Sequence, residues 1–255
     1  SILARALELA ARFVGADGAN STVRRELEAN LEPSLEHARN KYIWFGTPKV
    51  FDEFNFIFED TPSGMVWAHI YPYGDEGSTF IVEMRPETWS ALGFDKTEHE
   101  VFRAGMSDDY ALQRCEEIFA PHLDGLGLLG NNSRWLQFPT VTCERWHHGN
   151  VVLVGDAIHT AHFSVGSGTK LAMEDAIALA GLLLAAHPLD EAFGRYEETR
   201  RPEVESLQRA AKASRDWFEG ADRYRESAPE QLMCSFLSRS HRTTSDNLRV
   251  RAPVY

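Results

Sequence analysis

The chain has 255 residues, with 26 basic and 38 acidic side chains and a formal net charge of −12. Hydrophobic residues make up 43% and charged residues 25% of it, which is typical of a globular protein and excludes collagen-like or disordered chains. A chain of this length buries roughly 70% of its extended surface, enough for one or two domains with hydrophobic cores. The acidic balance argues against a nucleic-acid-binding surface, which needs a basic face.

The cysteines and the hydropathy of the chain indicate the cellular compartment. The three cysteines, Cys115, Cys143 and Cys234, are far apart and follow no zinc-binding spacing. We therefore expect free thiols in a reducing compartment and predict a cytoplasmic protein. The longest uncharged apolar run, 176–186, is far shorter than the ~20 residues of a membrane span, and no signal peptide is recognisable.

The first elements read as strand, turn and helix. Residues 12–18 predict a short buried strand that ends in a turn, and residues 20–27 predict a helix capped by Asn20 or Ser21. Residues 28–40 are polar and contain a proline, so we predict a linker there.

The middle of the chain has a different pattern. Short runs rich in aromatic and β-branched residues are separated by turn signals, which indicates an antiparallel sheet. These runs are KYIWFG, FNFIFE, MVWAHIY and STFIVEM. Residues 86–92 and 98–119 predict helices.

The last part returns to alternating strands and helices. Residues 134–141 and 151–156 predict strands, the second covered on both faces because it is a continuous apolar run. Residues 168–187 predict an apolar helix, residues 190–219 a long polar one with a kink near its internal proline, and residues 229–238 a weaker one.

These elements predict an α/β fold, α+β overall, with a discontinuous domain. Residues 1–40 and 142–255 would fold together, and residues 41–141 would form an antiparallel-sheet domain inserted between them.

The segment GDAIHTAHFSVGSGTK, 155–170, follows the buried strand. Asp156 is placed where ligands bind at the carboxyl end of a strand, and it can accept hydrogen bonds from sugar or ribityl hydroxyls. Gly166 and Gly168 allow the backbone to approach a flat or phosphorylated group, and the helix start near Thr169 offers unpaired N–H groups. The spacing fits neither a P-loop nor GxGxxG, so the alternative is a tight turn into a core helix.

A second segment, GADGANSTVR, 15–24, places an Asp-Gly turn between a strand and a helix. Asp17 and Arg24 could pair and fix the turn, or Arg24 could bind a phosphate. The alternative is an ordinary strand–turn–helix.

Together, the two segments and YEETRRPEV, 196–204, resemble the flavin-dependent aromatic monooxygenases of the para-hydroxybenzoate hydroxylase type. The order of the motifs, their separation of about 140 residues and the sheet between them fit that family. Three stretches are similar to its salicylyl-CoA 5-hydroxylase and 2-aminobenzoyl-CoA monooxygenase/reductase group: HTAHFSVGSGTKLAMEDA, NKYIWFGTPKVFD (40–52) and SRSHRTTSDNLRVR (238–251).

The resemblance implies a Rossmann-like FAD-binding domain, an inserted substrate domain, NAD(P)H as reductant and O2 as co-substrate. It also implies a cofactor site made by three groups of residues, which are Asp17, Gly18 and Arg24, then Gly155, Asp156 and His159, and finally Gly166, Gly168, Thr169 and Lys170. The family's GxGxxG unit would precede residue 1, so we expect a chain truncated at its N-terminus.

On the substrate side, His162 and Phe163 are predicted to line the aromatic ring as catalytic candidates. Phe163 and Lys170 stand where the family usually has Pro and Asn. His69 and Tyr71 alternate along a predicted strand, so they share a face and could line the substrate pocket. The alternative for that pair is a structural face of the sheet.

The end of the chain carries a basic tail with Arg239, His241, Arg242, Arg249 and Arg251. An acidic protein needs a local basic patch to receive the phosphates of a CoA thioester, which favours CoA docking here; the alternative is a solvated basic stretch.

The spacing of Asp156, His159 and His162 could suggest a metal, but no further ligand is evident, so we predict no metal site.

We therefore predict an FAD-dependent hydroxylase of an aromatic acyl-CoA such as salicylyl-CoA or 2-aminobenzoyl-CoA. The resemblance also implies an old-yellow-enzyme-like reductase domain as a fused or separate partner. Two alternatives stay open: a hydroxylase of an indole or tryptophan-derived substrate in the same fold, and a non-catalytic fragment that binds no flavin.

Overall fold

The computed structural model describes residues 10–185, 187–244, 246–247 and 250. The strands are β1 (Phe13–Gly15), β2 (Pro33–His37), β3 (Lys41–Thr47), β4 (Asn55–Thr61), β5 (Gly64–Gly74), β6 (Gly77–Met84), β7 (Leu129–Gly130), β8 (Pro139–Cys143), β9 (His147–His148) and β10 (Val151–Leu153). The helices are α1 (Thr22–Glu26), α2 (Glu28–Leu31), α3 (Pro86–Ala91), α4 (Asp109–Phe119), α5 (Gly168–Leu184), α6 (Leu189–Glu219) and α7 (Pro229–Ser238). Within these residues, every helix is too short or too polar to span a lipid bilayer.

The chain divides into two compact units. One comprises the described residues up to His37 and from Pro139 onward, and the other comprises Ala38–Phe138. The sequence analysis placed the two boundaries after Asn40 and Val141. The observed boundaries come slightly earlier because β2 and β8 pair with each other along their full length and both belong to the first unit.

The first unit contains a three-stranded sheet in the order β1-β10-β9. β1 runs parallel to β10, with Phe13 opposite Val151 and Gly15 opposite Leu153. Val151, Val152 and Leu153 are buried, as predicted from the apolar run. Glycine is required at position 15, because a Cβ there would lie 2.2 Å from Cδ2 of Leu153.

The predicted linker at residues 28–40 is wrong, because this stretch contains α2 and β2. β2 forms a two-stranded antiparallel sheet with β8, with Pro33 opposite Cys143 and His37 opposite Pro139. The sequence around β2 is polar since most of the strand is exposed. Its partner is distant in the sequence, so local composition carried no sign of the pairing.

The long helices cover the hydrophobic core of the first unit. Phe193 and Tyr196 on α6 are fully buried, and the Tyr196 hydroxyl donates to the Leu153 carbonyl oxygen at 3.3 Å. α6 runs without interruption through Pro202, so no break accompanies the proline.

The second unit is built on a five-stranded antiparallel sheet in the order β4-β5-β6-β3-β7. This confirms the antiparallel sheet predicted from the aromatic runs. One face of the sheet is apolar and packs with α4. The core includes Ile43, Phe45, Val66, Ile70, Phe80, Cys115 and Phe119.

The predicted helix at 98–119 begins only at Asp109. The Asp108 side chain accepts a hydrogen bond from the Ala111 amide at 2.8 Å and caps the helix. Gly105, in the loop before this helix, has a left-handed conformation with φ of +87°.

Candidate functional site

The chain turns sharply where β10 ends. Gly155 has φ of +60°, and a Cβ at this position would lie 2.9 Å from the Cβ of Ala172 on α5. Both the backbone conformation and the close approach to the helix therefore require glycine. The Gly155 amide donates to Oδ2 of Asp175 at 3.1 Å, which ties the turn to α5.

Asp175 is a fully buried carboxylate that organises this turn. It accepts hydrogen bonds from His159 Nε2 at 2.6 Å and from Arg200 Nε at 2.9 Å. Burial would raise the pKa of Asp175, but the hydrogen bond and charge of His159, with those of Arg200 and the Gly155 amide, outweigh it and lower the pKa. The carboxylate therefore stays charged and joins the turn, α5 and α6.

Asp175 and Arg200 are not among the site residues predicted from the sequence. A signal was present, because an aspartate within an apolar helix needs a buried partner. The partner, Arg200, belongs to the motif at 196–204, which the sequence analysis used only as part of the resemblance.

Asp156 is the only exposed residue from Val151 to His162. No hydrogen bond or ion pair joins its carboxylate to another described residue. Partial burial raises the pKa of Asp156, and the charge of His159 opposes the rise. The predicted acceptor therefore projects from a buried turn with its acceptor capacity unused by the described residues.

The start of α5 offers hydrogen-bond donors. Among the described residues, the amides of Gly168, Thr169 and Lys170 have no acceptor, and Ser167 provides no side-chain cap. A Cβ on Gly166 or Gly168 would meet no atom within 4 Å, so there is open space beside the backbone. These amides can stabilise an anion or the polar edge of a ring.

Two details differ from the simple prediction for residues 166–170. The Gly166 amide donates to the Phe163 carbonyl oxygen at 2.9 Å, so it is already used within the chain. The exposed Lys170 side chain forms an ion pair with Glu174, one turn along the helix. The amides of the first turn, rather than the Lys170 ammonium, are therefore the open donors.

In the first motif, Asp17 caps α1. Its carboxylate accepts hydrogen bonds from Ser21 Oγ at 2.5 Å, from the Thr22 amide at 2.7 Å and from the Val23 amide at 3.2 Å. Burial would raise the pKa of Asp17, but these hydrogen bonds outweigh it and lower the pKa. Gly18 follows with φ of +80°, which fits the predicted turn.

Arg24 is buried and joins α1 to the turn after β10. Its Nη1 donates to the Ala157 carbonyl oxygen at 2.6 Å, and its Nη2 donates to the Ala19 carbonyl oxygen at 2.5 Å. Burial lowers the pKa of Arg24. Among the described residues, the guanidinium forms no ion pair with Asp17, so the alternative in which the two pair is wrong. Asp17 accepts from the Ser21 hydroxyl and two backbone amides, whereas Arg24 donates to backbone carbonyls. Phosphate binding by Arg24 stays a prediction.

His159 and His162, three residues apart, have different surroundings. His159 is buried and lies 2.6 Å from Asp175, and its role in the cofactor site stays a prediction. His162 is buried, and its Nδ1 lies 2.9 Å from Ser164 Oγ, which lies 2.8 Å from Ser214 Oγ on α6. Within the described part of the chain, these histidines and Asp156 form no group that could hold a metal ion.

His162 also lines a cavity of about 230 Å³ in the first unit, together with Thr140, Thr160 and Gln208. Its ring stacks on the ring of Phe163, with centroids 4.3 Å apart. The structure thus brings the two predicted catalytic candidates into contact.

In the second unit, His69 is buried and pairs with Glu83, which the sequence analysis missed. His69 Nε2 lies 2.8 Å from Glu83 Oε2, to which Trp67 Nε1 donates at 3.1 Å. Asn40 Nδ2 donates to Glu83 Oε1 at 2.7 Å, and Asn40 Oδ1 is buried with no hydrogen-bond partner among the described residues. The sequence did contain a signal for this buried pair, because Glu83 is a charged residue within the apolar run STFIVEM.

Tyr71 shares its strand face with His69, as predicted, and is half-buried. Its ring stacks on Phe54 with centroids 5.1 Å apart, and Phe56 contacts the His69 ring edge-on at 5.0 Å. Burial raises the pKa of Tyr71, and a hydrogen bond with Thr79 opposes the rise. This face of the sheet is aromatic, with a buried carboxylate at Glu83.

Part of the basic tail is described. Arg239, directly after α7, donates to the Ser164 carbonyl oxygen at 3.0 Å and to Ser214 Oγ at 3.0 Å. Arg242 is exposed and donates to Ser206 Oγ at 3.1 Å, and His241 is also exposed. Arg249 and Arg251 lie outside the described residues.

Comparisons with known proteins cover most of the chain. A family model described as "FAD binding domain" matches residues 5–211. Salicyloyl-CoA 5-hydroxylase of a Streptomyces species is 47% identical over 88% of this chain and 44% of its own length. A 3-hydroxy-4-methyl-anthranilyl-[aryl-carrier protein] 5-monooxygenase of Streptosporangium sibiricum is 40% identical over 80% of this chain and 52% of its own length. The chain thus spans about half the length of these relatives.

A solved structure shares the fold. PqsL, described as a probable FAD-dependent monooxygenase from Pseudomonas aeruginosa, superposes with a TM-score of 0.57 at 24% identity, over 84% of this chain and 58% of that one.

Proposed function

The chain belongs to the FAD-binding domain family, as the motif resemblance predicted, and we propose that it is the flavin-holding part of an aromatic monooxygenase acting on an aromatic acyl-CoA thioester. The observation that carries this proposal is the pairing of an open acceptor with open donors in one unit. The acceptor is Asp156, and the donors are the first-turn amides of α5.

The residues after β10 fit FAD. The Asp156 carboxylate has acceptor capacity for ribityl hydroxyls, and Gly166 and Gly168 leave space beside the helix start. The amides of Gly168, Thr169 and Lys170 offer donors for the polar edge of a ring. This acceptor, the open space and these donors support the proposal that a flavin binds here.

FAD, when bound, supplies the electron transfer and oxygen activation of the reaction. The amides at the start of α5 would stabilise negative charge on the ring edge, because they and the helix dipole are already oriented before the charge develops. Such a helix terminus contributes roughly 0.3–1 kcal/mol, and up to ~2 kcal/mol where partly buried.

Three elements hold Asp156 in place. Asp175 on α5 fixes Gly155 and His159 on either side of it, Arg200 on α6 fixes Asp175, and Arg24 on α1 fixes Ala157. The acceptor is therefore pre-positioned, and binding does not have to order this turn.

Within the first unit, His162 and Phe163 are the proposed catalytic residues. Within the second unit, taken by itself, His69 and Tyr71 are proposed to contact an aromatic ring. The buried His69 ring is held by Glu83, whose Oε2 lies 2.8 Å from His69 Nε2. The aromatic face around Tyr71 offers stacking contacts to a ring.

Two relatives support the thioester: one is named for salicyloyl-CoA and the other for an anthranilyl group on an aryl-carrier protein. NAD(P)H as reductant, O2 as co-substrate and an old-yellow-enzyme-like reductase partner belong to the same proposal. We also propose a cytoplasmic location, which the free cysteines Cys115, Cys143 and Cys234 support.

The test combines binding and turnover. FAD affinity is measured by the change in flavin fluorescence when the protein is added. NAD(P)H oxidation is then followed in the full-length protein that contains this chain, with salicylyl-CoA, 2-aminobenzoyl-CoA, free salicylate and free indole. We expect FAD binding, and oxidation stimulated by a CoA thioester. If only indole stimulates oxidation, an indole-type substrate replaces the proposed acyl-CoA thioester. Absence of FAD binding would overturn the proposal.

A further inference from the structure

A groove in the first unit lies outside the proposed flavin site and is here called the basic groove. It has a volume of about 460 Å³ and is lined by residues of α6, of the turn after α6 and of the end of α7. Among the described residues that line it, four are basic, namely Arg209, Lys212, Arg223 and Arg239, and one, Asp216, is acidic. This is a local excess of positive charge on a chain with a net charge of −12.

The charges at the mouth of the groove are weakly compensated. Arg209 lies 3.9 Å from Glu205, and both side chains are exposed. Arg223 is exposed and donates its Nε to the Gly220 carbonyl oxygen at 2.8 Å, and no ion pair involves it among the described residues. Lys212 pairs with Asp216 at 2.8 Å. Exposed pairs of this kind contribute little, so an incoming anion can displace them.

The inner wall is formed by Arg239. Its guanidinium lies 4.1 Å from the centre of the Phe236 ring and donates to the carbonyl oxygens of Phe236 and Ser164. Burial lowers the pKa of Arg239 to about 10, and a bound phosphate would oppose that shift. Because Ser164 follows Phe163 directly, the groove is in contact with the loop that carries both catalytic candidates.

The groove adjoins the cavity of about 230 Å³ described above. Arg209 and Lys212 line both spaces. From these two side chains, the smaller cavity extends past Gln208 and Thr160 to His162. A ligand with an anionic head in the groove could therefore extend a narrow arm toward His162.

We propose that the basic groove binds the phosphate groups of a coenzyme A thioester and that the adjoining cavity receives its pantetheine arm. The inference rests on the proposed function and adds to it a recognition site for the part of the substrate that does not react. Several cations favour CoA, which carries a diphosphate and a ribose phosphate, over a carrier-protein arm with a single phosphate. Binding at the phosphates would position the reacting ring through the arm.

The test measures binding of free CoA, dephospho-CoA and pantetheine by titration calorimetry. The groove variant is Arg209→Glu/Arg223→Glu. The matched control is Arg145→Glu/Arg195→Glu, which changes the net charge equally at two exposed arginines of the same unit. Arg145 and Arg195 pair with Glu32 at 3.3 Å and Glu191 at 2.6 Å, respectively, and neither lines the groove. Circular dichroism and thermal unfolding check that both variants fold.

We expect the groove variant to bind CoA roughly tenfold more weakly or worse, since charge-assisted hydrogen bonds to phosphate are lost, while the control stays within about twofold of the wild type. Dephospho-CoA should bind more weakly than CoA, and pantetheine should be insensitive to the groove substitutions. Equal CoA affinity in both variants, or equal weakening in both, would overturn the site.

The CoA-binding measurement distinguishes this inference from the proposed function. If CoA binding depends on the groove but no aromatic CoA thioester stimulates NAD(P)H oxidation, the site stands and the proposed reaction fails. If turnover occurs and the groove variant keeps wild-type affinity for CoA, the reaction stands and this site is overturned.

Discussion

Asp175 on α5 and His159 in the turn after β10 form a buried hydrogen bond of 2.6 Å between Oδ2 and Nε2. Both side chains are buried, and the same carboxylate accepts a hydrogen bond from Arg200. The relationship matters because Asp156, the proposed ribityl acceptor, lies between the two residues, Gly155 and His159, that Asp175 holds.

Asp175→Asn should destabilise the first unit by about 1.5–3 kcal/mol, because it removes the fully buried carboxylate that accepts from Arg200 and His159, and the remaining partners of Arg200, Glu174 and Glu203, are more exposed. Urea unfolding measures the change. The control is Glu174→Gln, since Glu174 is the neighbouring residue and also binds Arg200, but is only partly buried. We expect a much smaller effect from the control, and equal effects would contradict the assigned role of Asp175.

The same pair predicts a pH dependence. Because the pKa of Asp175 is lowered by folding, its stabilisation is fully present above the ordinary value of 3.8 and is lost as the pH falls through the lower, folded value. The difference in unfolding free energy between wild type and Asp175→Asn should therefore be constant above that range and shrink below it. A difference that stays constant down to acid unfolding would refute the lowered pKa.

Asp156→Asn should weaken FAD binding by roughly 10- to 100-fold, because hydrogen bonds to a charged acceptor contribute about 1.5–3 kcal/mol. The unfolding free energy without FAD should hardly change, since no described residue bonds this exposed carboxylate. Asp190→Asn, an exposed aspartate at the start of α6, is the control. Wild-type FAD affinity in Asp156→Asn would remove Asp156 from the site.

Gly155→Ala should cost more than Gly149→Ala. Both glycines have a positive φ, of +60° and +55°, so the backbone strain is similar. At Gly155, however, a Cβ would lie 2.9 Å from the Cβ of Ala172, whereas at Gly149 it would meet nothing within 4 Å. We expect an additional loss of roughly 1–3 kcal/mol for Gly155→Ala in thermal or urea unfolding. Similar losses would show that α5 moves away without cost.

Glu83→Gln should destabilise the second unit. The two carboxylate oxygens of Glu83 serve three buried groups, on Asn40, Trp67 and His69, and in glutamine an NH2 group replaces one of these oxygens. A donor left without an acceptor costs about 1–3 kcal/mol. The control is Glu87→Gln, because Glu87 lies in the same unit and is 62% exposed in its ion pair with Arg85. If urea unfolding gives the same small change for both, Glu83 does not organise this face.

Local sequence determined the parts of the protein that depend on neighbours in the chain. The apolar run before Gly155 specifies a buried strand, and Ser21 caps α1 as predicted, accepting a hydrogen bond from the Arg24 amide at 2.9 Å. The alternation of aromatic residues specifies the sheet of the second unit, since side chains of a strand alternate between faces. Asp156 could be selected because a single short motif contains both the strand and the turn.

Tertiary structure alone decided which polar groups meet. Arg24 donates to the carbonyl of Ala157, 133 positions away, and Asp175 meets Arg200 on the next helix. The β2 strand forms because β8 offers a partner far along the chain, although its own composition resembles a loop. Buried polar groups need partners, but the identity of each partner depends on how helices and strands pack, and no local pattern contains that information.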